Sequence, residues 1–527
     1  MNLTTDAWIP IVWNDSKPGT VSLREAFERG HEIQDLAVRP HERIALMRLL
    51  ICIAQAALDG PVDYDDWKAC QRRIAPSAVE YLNRWRQAFE LFGNSQRFLQ
   101  AANLKKPTIT PNGDDDDEGN SISKLDLALA TGNNATLFDN AGGSERSFGD
   151  AQVAVALLTF QCFSPCGTIG VALWNGSPTL GWNAYPKVKP GHSEHAPCLS
   201  GNMLHSYLRG RSLLDSLHSN LITKEQAEGF CGHDAWGKPE WERVPANPVD
   251  EGAVRNATMS YLGRLVPLSR AVQLADDRRS MTLANALEYP TYPEWREASA
   301  TIVTRHFKKQ PTRVALPASC DKNTWRELSA LTVIAVDKTT NGGPVALRNL
   351  KNDADFDLWV GGLVAAGNGK LLDTTESVFH IPAAMLAETS QLVYEKGVRH
   401  AETTEFWVMR AVSVYHKELG DNLDRPEMKN RRKQIQSKAA ALFWADIESA
   451  VSRLLDVAAA PESLGLKSGW HETAWGQAVR HAALAAYERA CPHQTTRQIR
   501  AYALGLNPLF GGPAGQAEAE TEKEAEA

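Results

Sequence analysis

From about Ala384 the chain repeats apolar residues at helical spacing: Val408, Val412, Tyr415 and Leu419, then Phe443, Ile447, Val451 and Leu454, then Trp475, Val479, Ala482 and Ala486. Residues three and four apart share one face of an α-helix, so each set is an apolar stripe that another element has to cover. Long amphipathic helices with short connections meet that demand by packing on one another, and we expect a C-terminal four-helix bundle over residues 384–510. Gly511-Gly512-Pro513 ends the pattern. The Ala/Glu tail, 511–527, has too little apolar surface to fold and is expected to be disordered.

Residues 1–383 have another texture. Short apolar runs (Ile169–Trp174, Thr301–Thr304, Leu331–Val336) alternate with Pro, Gly and Asn, which suggests a large mixed N-terminal domain with many loops, hence an α+β chain overall. Within it, Glu42–Leu58 reads as a helix stopped by Asp59-Gly60, and Tyr81, Trp85 and Phe89 recur as on one helix face. Ala151–Phe163 is apolar and ends at the turn signal Ser164-Pro165-Cys166-Gly167. The most apolar stretch, Ile44–Leu58, is interrupted by Arg48 and Gln55 and is shorter than the roughly 20 residues a membrane span needs. Met1–Pro10 shows no secretory pattern, and the 8 cysteines are sparse and irregular, so reduced thiols in a cytoplasm are expected.

The net charge of −7 argues against a polyanionic partner until its distribution is read. Asp114 to Glu118 are all acidic, and Ala514–Ala527 holds five Glu against one Lys; without these segments the remainder is slightly positive. A basic face is therefore permitted. Catalytic signatures are wanting. His192-Ser-Glu194-His195-Ala-Pro197-Cys198 lacks the downstream Pro-Cys-x-x-Cys of a zinc deaminase. Cys162 and Cys166 with His192, His195 and Cys198 match no standard zinc spacing, so neither metal nor cofactor is expected. Gly369-Lys370 lacks the first glycine of a P-loop, and His233-Asp234 stands without further metal ligands.

Five segments in register resemble one family. They are Asn2-Leu3 through Asp6-Ala7-Trp8-Ile9-Pro10; Arg97-Phe98-Leu99-Gln100, with Arg where the family has Pro; the Asn/Gly-rich stretch Asn133–Gly143; Tyr207-Leu208-Arg209-Gly210; and Leu358-Trp359-Val360-Gly361-Gly362, similar to a strand ending in Gly-Gly. Together they resemble the CasA family, the large subunits of type I-E CRISPR Cascade surveillance complexes. The resemblance implies a non-catalytic subunit of an RNA-guided ribonucleoprotein. Guide pairing reads the target, while this subunit recognises the protospacer-adjacent motif in double-stranded DNA from the minor groove, a division of labour like that of Cas9-type effectors. It implies help with strand separation and recruitment of the CRISPR-associated helicase-nuclease.

Carried over by position, the resemblance places a DNA-binding glycine loop on Cys166, Gly167, Thr168, Ile169 and Gly170, where a missing side chain lets backbone approach the groove floor. A basic finger falls on Arg278 and Arg279, suited to a narrow electronegative groove; Asp276 and Asp277 beside them offer the alternative of surface ion pairs. A strand-separating wedge falls on Gly367, Asn368, Gly369 and Lys370, with Asn368 where the family has Gln. Phe138 and Asn140 lie in the loop that docks the guide RNA 5′ end and the other Cascade subunits. The cluster Lys429, Arg431, Arg432, Lys433 and Lys438 reads first as a solvated helix face, as most such runs are, with DNA-backbone contact as the functional alternative. Two other classes remain open from the residues alone: a cytoplasmic metal-dependent hydrolase using His192, His195 and Cys198 or His233-Asp234, and a scaffold that binds only proteins.

Overall fold

In the computed structural model the run around Arg48 forms the helix Pro40–Leu58, with Pro40 in its first turn and Glu42 accepting from the Arg39 amide at 2.9 Å. The expected stop is where the chain signals it. Asp59 and Gly60 both take positive φ (52° and 61°), and the Gly60 amide closes the last turn on Gln55 O at 2.9 Å. A Cβ on Gly60 would sit 2.2 Å from the Trp236 ring, so glycine is required there twice over. Arg48, inside this apolar helix, is 1% exposed and lies 2.8 Å from the 4% exposed Glu297, while its Nε donates to Leu265 O at 2.7 Å. Removing either partner would strand a buried charge, a loss of about 3–5 kcal/mol.

The structure describes residues 1–93, 96–106, 119–129, 147–164, 170–179, 202–232, 235–287, 297–307, 310–320, 322–335, 339–350, 354–365, 371–421, 425, 428–463 and 469–510. It divides into two compact units: Met1–Thr324, Val333–Lys351 and Asp355–His380 form one, and Trp325–Thr332, Asn352–Ala354 and Ile381–Ala527 the other.

The first unit mixes helices with small sheets, none wider than three strands among the described residues. Ile9–Trp13 lies between Pro18–Val21 and Ile33–Leu36; Phe356–Ala365 lies between Leu371–Ile381 and His205–Arg209; Ser280–Asn285 lies between Asn120–Ser121 and Arg270–Leu274. Helix Asp150–Phe163, expected from Ala151, packs beside Pro40–Leu58, and both are buried along most of their length. The expected single helical face through Tyr81, Trp85 and Phe89 is corrected. The chain forms Tyr64–Cys70, a 3-10 turn, helix Ile74–Arg84 and a second 3-10 turn Arg86–Phe89. Phe89 is buried by stacking on Phe98 at 5.3 Å, not by helical phase. Leu331–Val336 is likewise no strand through its described part: Leu331 ends a short helix begun at Leu328.

The second unit is built from helices Glu388–Glu418, Lys429–Glu448, Val451–Ala459, Ala474–Ala490 and Thr496–Gly505. The apolar stripes are buried except for half-buried Leu419, which caps the first helix, and the second set spans two helices, broken between Glu448 and Val451. Trp325 enters this core, with ring centroids 5.8 Å from Trp444 and 5.9 Å from Trp475; Tyr394 Oη donates to Trp325 O at 2.8 Å. Among the described residues no helix is long and apolar enough to cross a membrane.

Candidate nucleic-acid interface

Arg278 and Arg279 sit at the turn of an antiparallel hairpin whose strands, Arg270–Leu274 and Ser280–Asn285, pair from Leu274↔Met281 back to Arg270↔Asn285. The turn is fixed from within by Asp277. Its carboxylate accepts from the Arg279 amide at 2.9 Å, the Ser280 amide at 3.0 Å and Ser280 Oγ at 2.9 Å. These bonds to the charged form, the Arg279 amide first, hold the Asp277 carboxyl below the usual aspartate range. Arg278 takes φ +61°, an αL position that a non-glycine residue occupies only when its surroundings hold it.

Two flanks hold it. On one side Arg97 donates to Gly93 O and Leu274 O, both at 2.7 Å, and lies 3.1 Å from Asp276. Gln100 joins the grip: its Oε1 accepts from the Leu274 amide at 2.9 Å. The motif Arg97-Phe98-Leu99-Gln100 is thus the bracket of the finger. Arg97, where the resemblance has Pro, supplies the guanidinium that engages Asp276. On the other side the Arg278 guanidinium lies 3.5 Å from Asp150 and 5.2 Å from the Phe92 ring centroid. The alternative pairing with the adjacent aspartates is therefore not what forms: Asp276 engages Arg97, Asp277 holds backbone, and Arg278 reaches Asp150. Arg279 is exposed, with no carboxylate at ion-pair distance among the described residues.

At its other end, about 13 Å away for four strand steps, the same hairpin holds both described ends of the glycine loop. Arg270 Nε donates to Ser164 Oγ at 2.8 Å, and the Asn285 amide donates to Gly170 O at 3.1 Å; Arg270 and Asn285 are one rung of the ladder. Gly170 is glycine for a local reason, since a Cβ there would lie 2.8 Å from Leu283 O. Cys166, Gly167, Thr168 and Ile169 lie outside the described residues, as do the wedge residues Gly367, Asn368, Gly369 and Lys370, the docking residues Phe138 and Asn140, and His192, His195, Cys198, His233 and Asp234.

The strand before the wedge does not end at Gly361-Gly362 but continues to Ala365, and both glycines lie against close backbone: a Cβ on Gly362 would lie 2.6 Å from Met203 O. In the second unit, Lys429, Arg431, Lys433 and Lys438 are exposed on the first half of Lys429–Glu448, while Arg432 is half-buried. Among the described residues no group of three His, Cys, Asp or Glu side chains is placed to hold a metal ion.

One cationic element was missed in the sequence. Ile302–Phe307 and Gln310–Ala315 form a two-stranded ribbon in register from Ile302↔Ala315 to Phe307↔Gln310, with Thr304, Arg305, His306, Thr312 and Arg313 exposed. The signal was available: from Ala298 to Cys320 there is no carboxylate, against Arg305, Lys308, Lys309 and Arg313.

The described residues thus offer three cationic features: a braced hairpin with an exposed arginine, an acid-free ribbon and, in the second unit, a basic helix start. The model of the CRISPR-associated protein Cse1 family matches residues 2–486, and the chain belongs to that family. A curated relative, the CRISPR-associated protein CasA/Cse1 of Thermus thermophilus, is 26% identical over 534 residues, covering 96% of this chain and 95% of its own. The fold is similar to the crystal structure of CasA from Thermus thermophilus (TM-score 0.72, 23% identity, 97% of this chain and 98% of that one). It is also similar to a chain of a structure described as a CRISPR RNA-guided surveillance complex (TM-score 0.66, 17% identity, 97% and 99%).

Proposed function

We propose that this chain is the large subunit of an RNA-guided CRISPR surveillance complex, and that it recognises the protospacer-adjacent motif in double-stranded DNA without catalysing a reaction itself. Family membership over nearly the whole chain supports the setting. The observation that carries the reading is the finger turn: a cation presented at φ-restrained, multiply bonded backbone is suited to a groove, where position decides which step is read. The glycine loop, tied to the same hairpin, would share that groove. The wedge Gly367–Lys370 would begin strand separation, and Phe138 and Asn140 would dock the guide RNA 5′ end and neighbouring Cascade subunits. Arg305 and Arg313 of the ribbon, with the basic helix start, would hold duplex or displaced-strand phosphates. In this reading residues 384–510 act as a four-helix bundle that also helps recruit the helicase-nuclease, and the complex works in the cytoplasm.

The test is a gel shift of the guide-loaded complex, with and without this chain, on duplexes differing only in the motif beside the target. Motif-dependent binding that appears only with the chain supports the reading. Equal binding in both lanes overturns it and leaves the protein-scaffold alternative.

A further inference from the structure

The two arginines of the finger differ in what already holds them. Arg278 is engaged before any ligand arrives, by Asp150 at 3.5 Å and the Phe92 ring at 5.2 Å, in an αL backbone. Both side chains are exposed, that of Arg278 at 57%, but Arg279 meets no carboxylate at ion-pair distance among the described residues, and its backbone is engaged instead: its amide is held by Asp277 and its carbonyl accepts from the Ile122 amide at 2.9 Å. Ile122 follows the strand Asn120–Ser121, which pairs with Ser280 and Met281 at the root of the turn. Asp150 opens the helix Asp150–Phe163, where a first-turn carboxylate is also favoured by the helix dipole. Ile122 and Asp150 thus both engage this one turn, the first at the carbonyl of Arg279, the second at the guanidinium of Arg278.

We propose that the pair divides the work: Arg279 is the residue that contacts duplex phosphate, and Arg278 is a positioning residue, acting through Asp150 to set where Arg279 stands. This rests on the DNA-reading function proposed above. A guanidinium beside a carboxylate has to leave it to serve a phosphate, whereas one on clamped backbone with no carboxylate partner among the described residues does not. A phosphate contact and a strut also differ in salt dependence: losing a contact removes released counterions, and losing a strut does not.

The experiment titrates the guide-loaded complex with motif-bearing duplex over a range of salt, using Arg279→Ala, Arg278→Ala, Asp150→Ala, the Arg278→Ala/Asp150→Ala double variant and the charge-exchanged pair Arg278→Asp/Asp150→Arg. Arg279→Ala should raise Kd roughly tenfold and flatten the log–log salt slope by about one. Arg278→Ala and Asp150→Ala should raise Kd by a similar, smaller factor at unchanged slope, with the double variant no worse than either single one. The exchanged pair should restore Kd to within about twofold of wild type, which a misfolded turn would not do. A slope lowered by Arg278→Ala, with Asp150→Ala at wild-type affinity, overturns the division. Wild-type complex without motif dependence would instead sink the underlying function, so the two failures are distinguishable.

Discussion

The finger turn and the start of the helix Lys429–Glu448 both carry cationic side chains and treat them in opposite ways. At the turn the cations sit among fixed partners: Arg97 bridges two carbonyls and Asp276, Arg278 meets Asp150, and Asp277 binds three donors. At the helix start Lys429, Arg431 and Lys433 are exposed, no acidic residue stands in the first turn, and Met428 gives no side-chain cap. Lys429 and Arg431, in the first turn, face the positive end of the helix dipole, each at a loss of about 0.3–1 kcal/mol. Charge that is braced can report position; charge that is loose and locally unfavourable can report only the presence of an anion. The contrast separates sequence reading from general attraction within one chain.

The strongest way to break the contrast is through stability. Arg97→Ala removes two bonds to carbonyls and one to a carboxylate from a mostly buried side chain, and should lower stability by about 3 kcal/mol, read as a fall in Tm. The triple variant Lys429→Ala/Arg431→Ala/Lys433→Ala should leave Tm unchanged or raise it by the equivalent of about 1 kcal/mol. Equal losses from both would mean that the helix start is braced after all. Binding sharpens the same difference. Arg279→Ala, the loss of one phosphate contact, should weaken duplex with or without the motif and lower the salt slope by about one, whereas the triple variant should weaken both and lower it by up to about three. An unchanged slope in the triple variant would reverse the assignment.

How much of this was legible in the sequence depended on range. The helix Pro40–Leu58 and its stop were readable because periodicity, Asp59-Gly60 and the αL turn all lie within a few residues. The C-terminal stripes were readable for the same reason, although the break before Val451 was not, since the apolar period runs through it unchanged. The finger could be located only through resemblance. Its bracing could not be anticipated, because Arg97, Asp150 and Ile122 reach it from distant parts of the chain. The adjacent aspartates were the natural partners by proximity in sequence, yet hairpin geometry turned one toward Arg97 and the other onto backbone. The ribbon Ile302–Ala315 was passed over because a run without carboxylates is an absence, and apolar periodicity does not register absences.

Acid distinguishes the two regions more gently. Asp277 is held below its ordinary pKa by the Arg279 and Ser280 amides, so its contribution is complete above the unfolded value near 4 and fades as pH falls through the lower folded one. Protection of the Arg279 and Ser280 amides against exchange, relative to an unstructured chain at the same pH, should therefore fall on acidification below about pH 4. In Asp277→Asn that protection should be low already at neutral pH and change little on acidification. The helix start, with no first-turn carboxylate, should show no such step. A step of equal size at Lys429–Lys433 would show that an acidic partner has been overlooked there.

The smallest expected effect is the most direct test of what the loose charge is for. Lys429→Glu places a carboxylate in the first turn, where the dipole favours it, and should stabilise the helix by about 0.5 kcal/mol. If the helix start were only a solvated face, that gain would come alone, and DNA binding would keep its wild-type salt slope. If it holds phosphate, the same change should raise Tm slightly while weakening duplex binding several-fold and flattening the slope by about one. A more stable protein that binds less well is the outcome expected here, because a chain that keeps cations at the unfavourable end of a helix must gain from them somewhere other than in folding.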